Sequence, residues 1–458
     1  MISDTIAAIA TAVGEAGIAI IRVSGPDAVQ ETAKLFQSKI PLTEVSSHTV
    51  NYGHIIDPLD GSRVEEVLVS VMRAPRSFTV EDVVEIHCHG GVVSVRKVMD
   101  LLLQRNIRLA EPGEFTKRAF INGRLDLSQA EAVIDLIRSK SDRAFNIALK
   151  QVDGALSKRI KAMRYDLVEL MAHIEVNIDY PEHDVQEMTS TLIQNKCSAA
   201  LQEIEQLLKT ASEGKILREG ITTAIVGRPN VGKSSLLNAL AQENKAIVTD
   251  IPGTTRDVIE EFVTINGIPL KLLDTAGLRE TTDLVEQIGV EKSRNALEQA
   301  DLILFVVNYN EKLHDDELLL LEKLKEKQTI IIANKTDLPQ ELDLKSIYTH
   351  FPAQQIVTMS VREQEGLDQL EKSISSLFFS GELESNDLTY VSNVRHIALL
   401  KQAKVSLEEG RDAAEAFVPI DMIQIDIRLA WERLGEIIGD SVSESLIDQI
   451  FSQFCLGK

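Results

Sequence analysis

The run Gly227-Arg228-Pro229-Asn230-Val231-Gly232-Lys233-Ser234 follows the apolar stretch Ile221 to Val226 and opens a helix. No other feature constrains the fold as tightly. A glycine-rich loop between a strand and a helix lets backbone N–H groups wrap phosphates. Lys233 then reaches the β- and γ-phosphates, and the Ser234 hydroxyl meets a magnesium ion.

Further elements follow in the order such a loop requires. Asp274-Thr275-Ala276-Gly277 ends a strand, where an aspartate holds magnesium through water and the Gly277 amide senses the γ-phosphate. Asn334-Lys335-Thr336-Asp337 ends another. Asp337 would accept two hydrogen bonds from guanine N1 and N2, which adenine does not supply, so the nucleotide implied is GTP. Thr254-Thr255-Arg256 lies between, where a switch threonine meets magnesium and the γ-phosphate; Ser360-Val361 is a weaker base-contacting loop. Residues 221–226, 301–308, 329–333 and 355–360 are continuous apolar or β-branched runs, as in strands buried on both faces of a parallel sheet. Asn266-Gly267 between two strand-like runs predicts a type I′ hairpin.

Leu278 stands where small GTPases carry a water-orienting glutamine, so hydrolysis needs another device. Asn230 offers one: its amide oxygen would coordinate a monovalent cation beside the phosphates and replace an arginine finger electrostatically. The alternative is a loop residue chosen for turn propensity.

The chain, at 458 residues, is too long for one core. Residues 1 to about 118 read as mixed α/β, with strands at 18–23, 67–72 and 82–87. Leu149, Val152, Leu156, Ile160, Met163, Leu167, Leu170, Ile174 and Ile178 then recur every three or four residues, one stripe along a single helix that ends at Pro181. A second helix is expected from Thr191 to Ala211, with Ile193, Cys197, Ile204 and Leu208 inward. Helical character returns after residue 380, with amphipathic runs at 393–417 and 420–438. The α/β middle is therefore expected as an insertion in a helical domain. The boundaries expected are 1–118, 119–215, 216–379 and 380–458.

A net charge of −22 argues against a general nucleic-acid coat but not against a local basic pocket. Cys88, Cys197 and Cys455 are too few and too scattered for a disulfide framework, which fits a reducing cytosol. No signal peptide and no membrane-length apolar run is evident, so a cytoplasmic protein without a membrane partner is expected. His87-Cys88-His89 places both histidines on one strand face with the cysteine opposite, and no fourth ligand is apparent.

The chain resembles the MnmE (TrmE) family of tRNA-modifying GTPases along its whole length. The resemblance rests on the phosphate loop, Ile247-Val248-Thr249-Asp250-Ile251-Pro252-Gly253-Thr254-Thr255-Arg256-Asp257, and Asp274-Thr275-Ala276-Gly277-Leu278-Arg279-Glu280. Glu111-Pro112-Gly113-Glu114-Phe115, Leu125-Asp126-Leu127-Ser128-Gln129-Ala130-Glu131-Ala132 and the terminal Cys455-Leu456-Gly457-Lys458 add to it. It implies a multidomain α/β and all-α chain: an N-terminal α+β folate-binding domain, a helical domain and an inserted Ras-like P-loop GTPase domain with a mostly parallel sheet. GTP would be bound by Asn230, Val231, Gly232, Lys233, Ser234, Ser235, Thr249, Thr254, Asp274, Thr275, Ala276, Gly277, Asn334, Lys335, Asp337 and Ser360. Potassium would sit among Asn230, Thr249, Ile251 and Thr254, and magnesium on Ser234 and Thr255. Glu286 matches the family's water-orienting glutamate; otherwise it is a helix-surface charge.

The same resemblance places 5,10-methylene- or 5-formyl-tetrahydrofolate on Arg22, Glu85, Arg124 and Lys458, with arginine at 124 where the family often has lysine. It implies a homodimer, a heterotetramer with the flavoprotein MnmG (the only source of FAD), and tRNA as substrate. The activity implied is GTP hydrolysis coupled to aminomethyl or carboxymethylaminomethyl transfer to C5 of the wobble uridine, position 34. Two alternatives stand beside it: an Era-type regulatory GTPase of ribosome assembly, and a folate-dependent transferase merely regulated by GTP. The stretch from Asp440 to Phe454 is amphipathic, so Cys455 is expected at the end of a docked helix, as nucleophile, proton donor or pocket wall.

Overall fold

The computed structural model describes residues 4–12, 14–179, 186–243, 261–273, 297–379 and 389–458. Among them, a seven-stranded sheet comprises β1 (Thr5–Ile9), β2 (Ala16–Ser24), β3 (Phe36–Ser38), β4 (Thr49–Ile56), β5 (Arg63–Met72), β6 (Val83–Gly90) and β7 (Ile107–Leu109), in the order β3-β4-β5-β6-β2-β1-β7. All pairs are antiparallel except β1 with β7. The period of two decides what each face carries. On β6, Val84, Ile86 and Cys88 join the core under helices Ala28–Ala33 and Val92–Leu103. Glu85, His87 and His89 alternate with them and take the opposite face.

The helical core unites two distant parts of the chain. Helices Ala155–Asp179 and Gln186–Lys209 pack with Val394–Glu415 and Ile420–Ile438 around Leu167, Cys197, Ile204, Leu400 and Leu434. Cys197 is fully buried, and burial pushes its thiol up to about 12. Thr210 and Val391, 181 residues apart, meet where the intervening unit leaves and returns: the Val391 amide donates to the Thr210 hydroxyl at 3.2 Å.

The single helix expected along Leu149 to Ile178 is two, Asp142–Val152 and Ala155–Asp179. Gly154 turns the chain with φ +83°, and the Gln129 side chain donates to the freed Val152 carbonyl at 2.8 Å. The three-and-four spacing runs straight across this break, so periodicity alone hides it. Leu149 and Ile178, the ends of the expected stripe, are about 40% exposed. The second helix likewise stops at Lys209, Ala211–Glu219 follows, and Leu207 rather than Leu208 is fully buried. Helices Glu114–Ile121 and Ala211–Glu219 run through residues 118 and 215; Phe115 packs in the N-terminal core and Leu217 in the core of the inserted unit.

The inserted unit is built on β8 (Ile221–Val226), β9 (Glu261–Ile265), β10 (Ile268–Leu272), β11 (Leu302–Asn308), β12 (Thr329–Asn334) and β13 (Ile356–Met359). Their order is β13-β12-β11-β8-β10-β9, parallel throughout except the β9–β10 hairpin. Every residue of β11 and β12 is buried, as continuous apolar runs require. The hairpin turns on Asn266 and Gly267 at φ +49° and +78°, the two positive values of a type I′ turn. No helix among the described residues is long and apolar enough to cross a membrane.

Candidate functional site

The phosphate loop leaves the C-terminal end of β8, and helix Lys233–Glu243 begins at its lysine. Gly227 and Gly232 have φ +151° and +101°. A side chain on Gly227 would strike the Val306 carbonyl, and one on Gly232 the Asn334 amide. Both positions therefore need glycine, which leaves the loop N–H groups free to converge. Asn230 holds a left-handed conformation, φ +64°, which asparagine tolerates well. The Lys233 ammonium curls over the loop and donates to the Gly227 and Arg228 carbonyls, each at 2.7 Å. Its burial lowers its pKa.

The loops expected to read guanine brace this cradle. Asn334 donates to the Val231 carbonyl at 2.8 Å and accepts from the Val361 amide at 3.2 Å. Lys335, at φ +73°, reaches back to the Asn230 carbonyl at 2.8 Å. The Ser360 hydroxyl donates to Asp337 at 2.8 Å, which orients the carboxylate expected to read the base. Asn230, Val231, Gly232, Lys233, Asn334, Lys335, Asp337 and Ser360 thus form one connected surface. Ser234 and Ser235 follow on the first turn of the helix. Thr249, Ile251, Thr254, Thr255, Asp274, Thr275, Ala276, Gly277 and Glu286 lie outside the described residues.

A second assembly forms on the outer face of the seven-stranded sheet. Arg22 and Glu85 are directly opposite on β2 and β6 and form an ion pair at 2.9 Å. Arg22 also donates to the Gly457 carbonyl at 3.2 Å and lies 5.7 Å from the Phe115 ring centre. The chain end is held beside it: the Gly113 amide donates to the Cys455 carbonyl at 3.3 Å and the Phe115 amide to the Lys458 carbonyl at 3.2 Å. Helix Glu444–Phe451 delivers this tail, anchored by Phe451 and Phe454 against Leu127, Ala130 and Ile134. Cys455 is exposed, whereas Cys88 and Cys197 are buried.

Arg124 stands slightly apart from that group. It donates to the Ser77 carbonyl and stacks over Phe78, which packs against the cluster containing Phe115. His87 lies 3.9 Å from Glu85, and His89 pairs with Glu65 at 2.7 Å. Cys88 points the other way, and its burial raises the thiol pKa.

Sequence reasoning missed a buried charge network beneath the tail. Arg118 is fully buried and contacts Asp4, Glu81 and Glu114 at 2.9–3.2 Å. The Glu114–Arg118 spacing of four on a helix was the available signal.

Two family profiles match the chain: the GTP-binding protein TrmE N-terminus over residues 5–124 and the MnmE helical domain over residues 127–455. The tRNA modification GTPase MnmE of Geobacillus thermodenitrificans is 60% identical over 458 residues, 99% of each chain. That of Bacillus mycoides is 59% identical over 456 residues, again 99% of each chain. Among solved structures, Aquifex aeolicus Era bound to GDP and AlF4− is 30% identical, covers 41% of this chain and 66% of its own, and has a TM-score of 0.26. The G domain of the T. maritima FeoB iron transporter is 29% identical, covers 34% of this chain and 97% of its own, and has the same TM-score, 0.26. The chain belongs to the MnmE family of tRNA modification GTPases.

Proposed function

We propose that the chain is a potassium-activated GTPase that acts with the flavoprotein MnmG on the wobble uridine of tRNA. Together they install an aminomethyl or carboxymethylaminomethyl group at C5, using a one-carbon unit from tetrahydrofolate. The observation that carries this reading is the docking of the 455–458 tail against Arg22, the partner of Glu85, across 435 residues of sequence. The backbone of the tail that carries Cys455 and Lys458 is thereby held beside an arginine–carboxylate pair on one sheet face. A pterin presents a donor–acceptor edge that suits Glu85, and an anionic glutamate tail suits Arg22, Arg124 and Lys458. The folate would supply the carbon; the residues bind and orient it beside Cys455.

On the nucleotide side, Lys233 and the loop amides would neutralise the phosphates, with Ser234 and Thr255 on magnesium. Asn230, Thr249, Ile251 and Thr254 would hold potassium where charge develops, and Glu286 would orient the attacking water. Two protomers would present these faces to each other as a homodimer. The test is a reconstituted reaction with tRNA, the flavoprotein and methylene-tetrahydrofolate. Cys455→Ser is expected to lose modification while hydrolysing GTP normally; full modification by this variant, or modification without the flavoprotein, would sink the reading.

A further inference from the structure

Helix Leu127–Arg138 carries three polar side chains at spacings of four and three, so they share one face. Each grips a different part of the protein. Glu131 binds Asn393, Arg395 and His396, at the start of helix Val394–Glu415, at 2.6–3.0 Å. Asp135 pairs with Arg218 at 2.8 Å. Arg138 donates to the Gln453 carbonyl at 2.7 Å, two residues before Cys455.

Arg218 occupies a particular place in the chain. Its neighbour Leu217 is buried in the core of the inserted unit, and β8 begins three residues later and runs straight into the phosphate loop. A rotation of that unit therefore moves Arg218. Between Arg218 and the tail lies a cavity of about 350 Å³ whose walls include Asp135, Arg138, Arg218, Ser392 and Gln453. A packed interface would share load among many contacts. Across a void, the ion pair and the Arg138 bond are discrete links, and each carries more.

We propose that Asp135, Arg138 and Arg218 are positioning residues that couple the nucleotide state of the inserted unit to the placement of the Cys455 tail, with helix Leu127–Arg138 as the rigid connector. Glu131 fixes that connector to the helical core. This inference rests on the functional reading above only in giving the tail a purpose; the mechanical claim is independent of the chemistry.

The test exploits the cysteines. Cys88 and Cys197 are 3% and 0% exposed, so a thiol reagent applied to the folded protein reports on Cys455. Labelling rates are compared in GDP and in a non-hydrolysable GTP analogue, in potassium buffer. The wild-type rates are expected to differ by about fivefold or more, the lower end of typical coupling between two sites. Arg138→Met should bring the ratio close to one while GTP hydrolysis stays at the wild-type rate; Arg138→Lys, which keeps a donor, should retain the ratio. Asp135→Asn should behave like Arg138→Met. Equal wild-type rates in the two nucleotides, or an undiminished ratio in both Arg138→Met and Asp135→Asn, would overturn the proposal. Labelling reports position alone, so that result would leave the modification reading standing, and a failed modification assay would leave the coupling standing.

Discussion

Gly457→Ala is the perturbation that most directly probes the docked tail. Gly457 sits at φ +84°, and a β-carbon there would lie 2.5 Å from the Ile9 carbonyl oxygen and 3.0 Å from the Ala10 α-carbon. Both obstacles are backbone atoms of the N-terminal sheet and have no rotamer to adopt. The left-handed conformation alone costs alanine about 1–2 kcal/mol. Relieving the clash requires the tail to lift, which weakens the Arg22 bond to Gly457 and the Phe115 bond to Lys458, at roughly 1 kcal/mol net each. A total of about 3–4 kcal/mol shifts the docked-to-undocked ratio by roughly 140- to 700-fold. Phe451 and Phe454 are buried independently, so helix Glu444–Phe451 should stay in place and only the last residues should release. Amide hydrogen exchange checks this at two positions: Gly113 and Phe115, whose amides donate to tail carbonyls, should lose protection. GTP hydrolysis should be unchanged and tRNA modification should fall by a similar factor. Unchanged protection at both amides would refute the steric reasoning, and released amides with full modification would refute the tail's part in the site.

Three further outcomes are expected. Asp337→Asn should lose its preference for GTP over xanthosine triphosphate by on the order of a hundredfold, measured by competition binding, because two charge-assisted bonds to guanine disappear. Potassium should accelerate hydrolysis over sodium by on the order of a hundredfold, with the phosphate released as the readout; equal rates would return Asn230 to a turn residue. Glu131→Gln should destabilise the helical domain by about 3–5 kcal/mol in thermal unfolding near neutral pH, since Arg395 and His396 lose their buried partner. Burial opposes ionisation of Glu131, but electrostatic attraction and hydrogen bonds from His396 and Arg395 hold the carboxyl down at about 2, below the usual 4.5. Its stabilisation is therefore complete above pH 4.5 and is lost as pH falls toward 2, so the gap between wild type and variant should narrow over that window.

Much of the inserted unit was legible because its signals are local. Asn266-Gly267 names its own turn, the buried strands are unbroken apolar runs, and the glycines of the phosphate loop mark where a β-carbon cannot fit. The helix break at Gly154 was not legible, because apolar spacing continued through it and the deciding contact, Gln129 to Val152, is tertiary. The convergence of Arg22, Glu85 and the chain end could not be inferred from spacing at all. Those residues were identified through resemblance, and only the sheet register and the docked helix bring them within hydrogen-bonding distance. Arg118 escaped for a related reason: its partners Asp4 and Glu81 come from separate parts of the chain.

The bond between Thr210 and Val391 has a consequence for how the protein assembles. The helical core must join residues separated by the whole inserted unit, and closing so long a loop from an unfolded chain costs entropy that grows with its length. If the inserted unit folds first, its two ends emerge close together and the effective loop is only the short connections on either side. The nested domain would then act as a splint for its host, and a variant that slows the folding of the parallel sheet should delay the helical core with it.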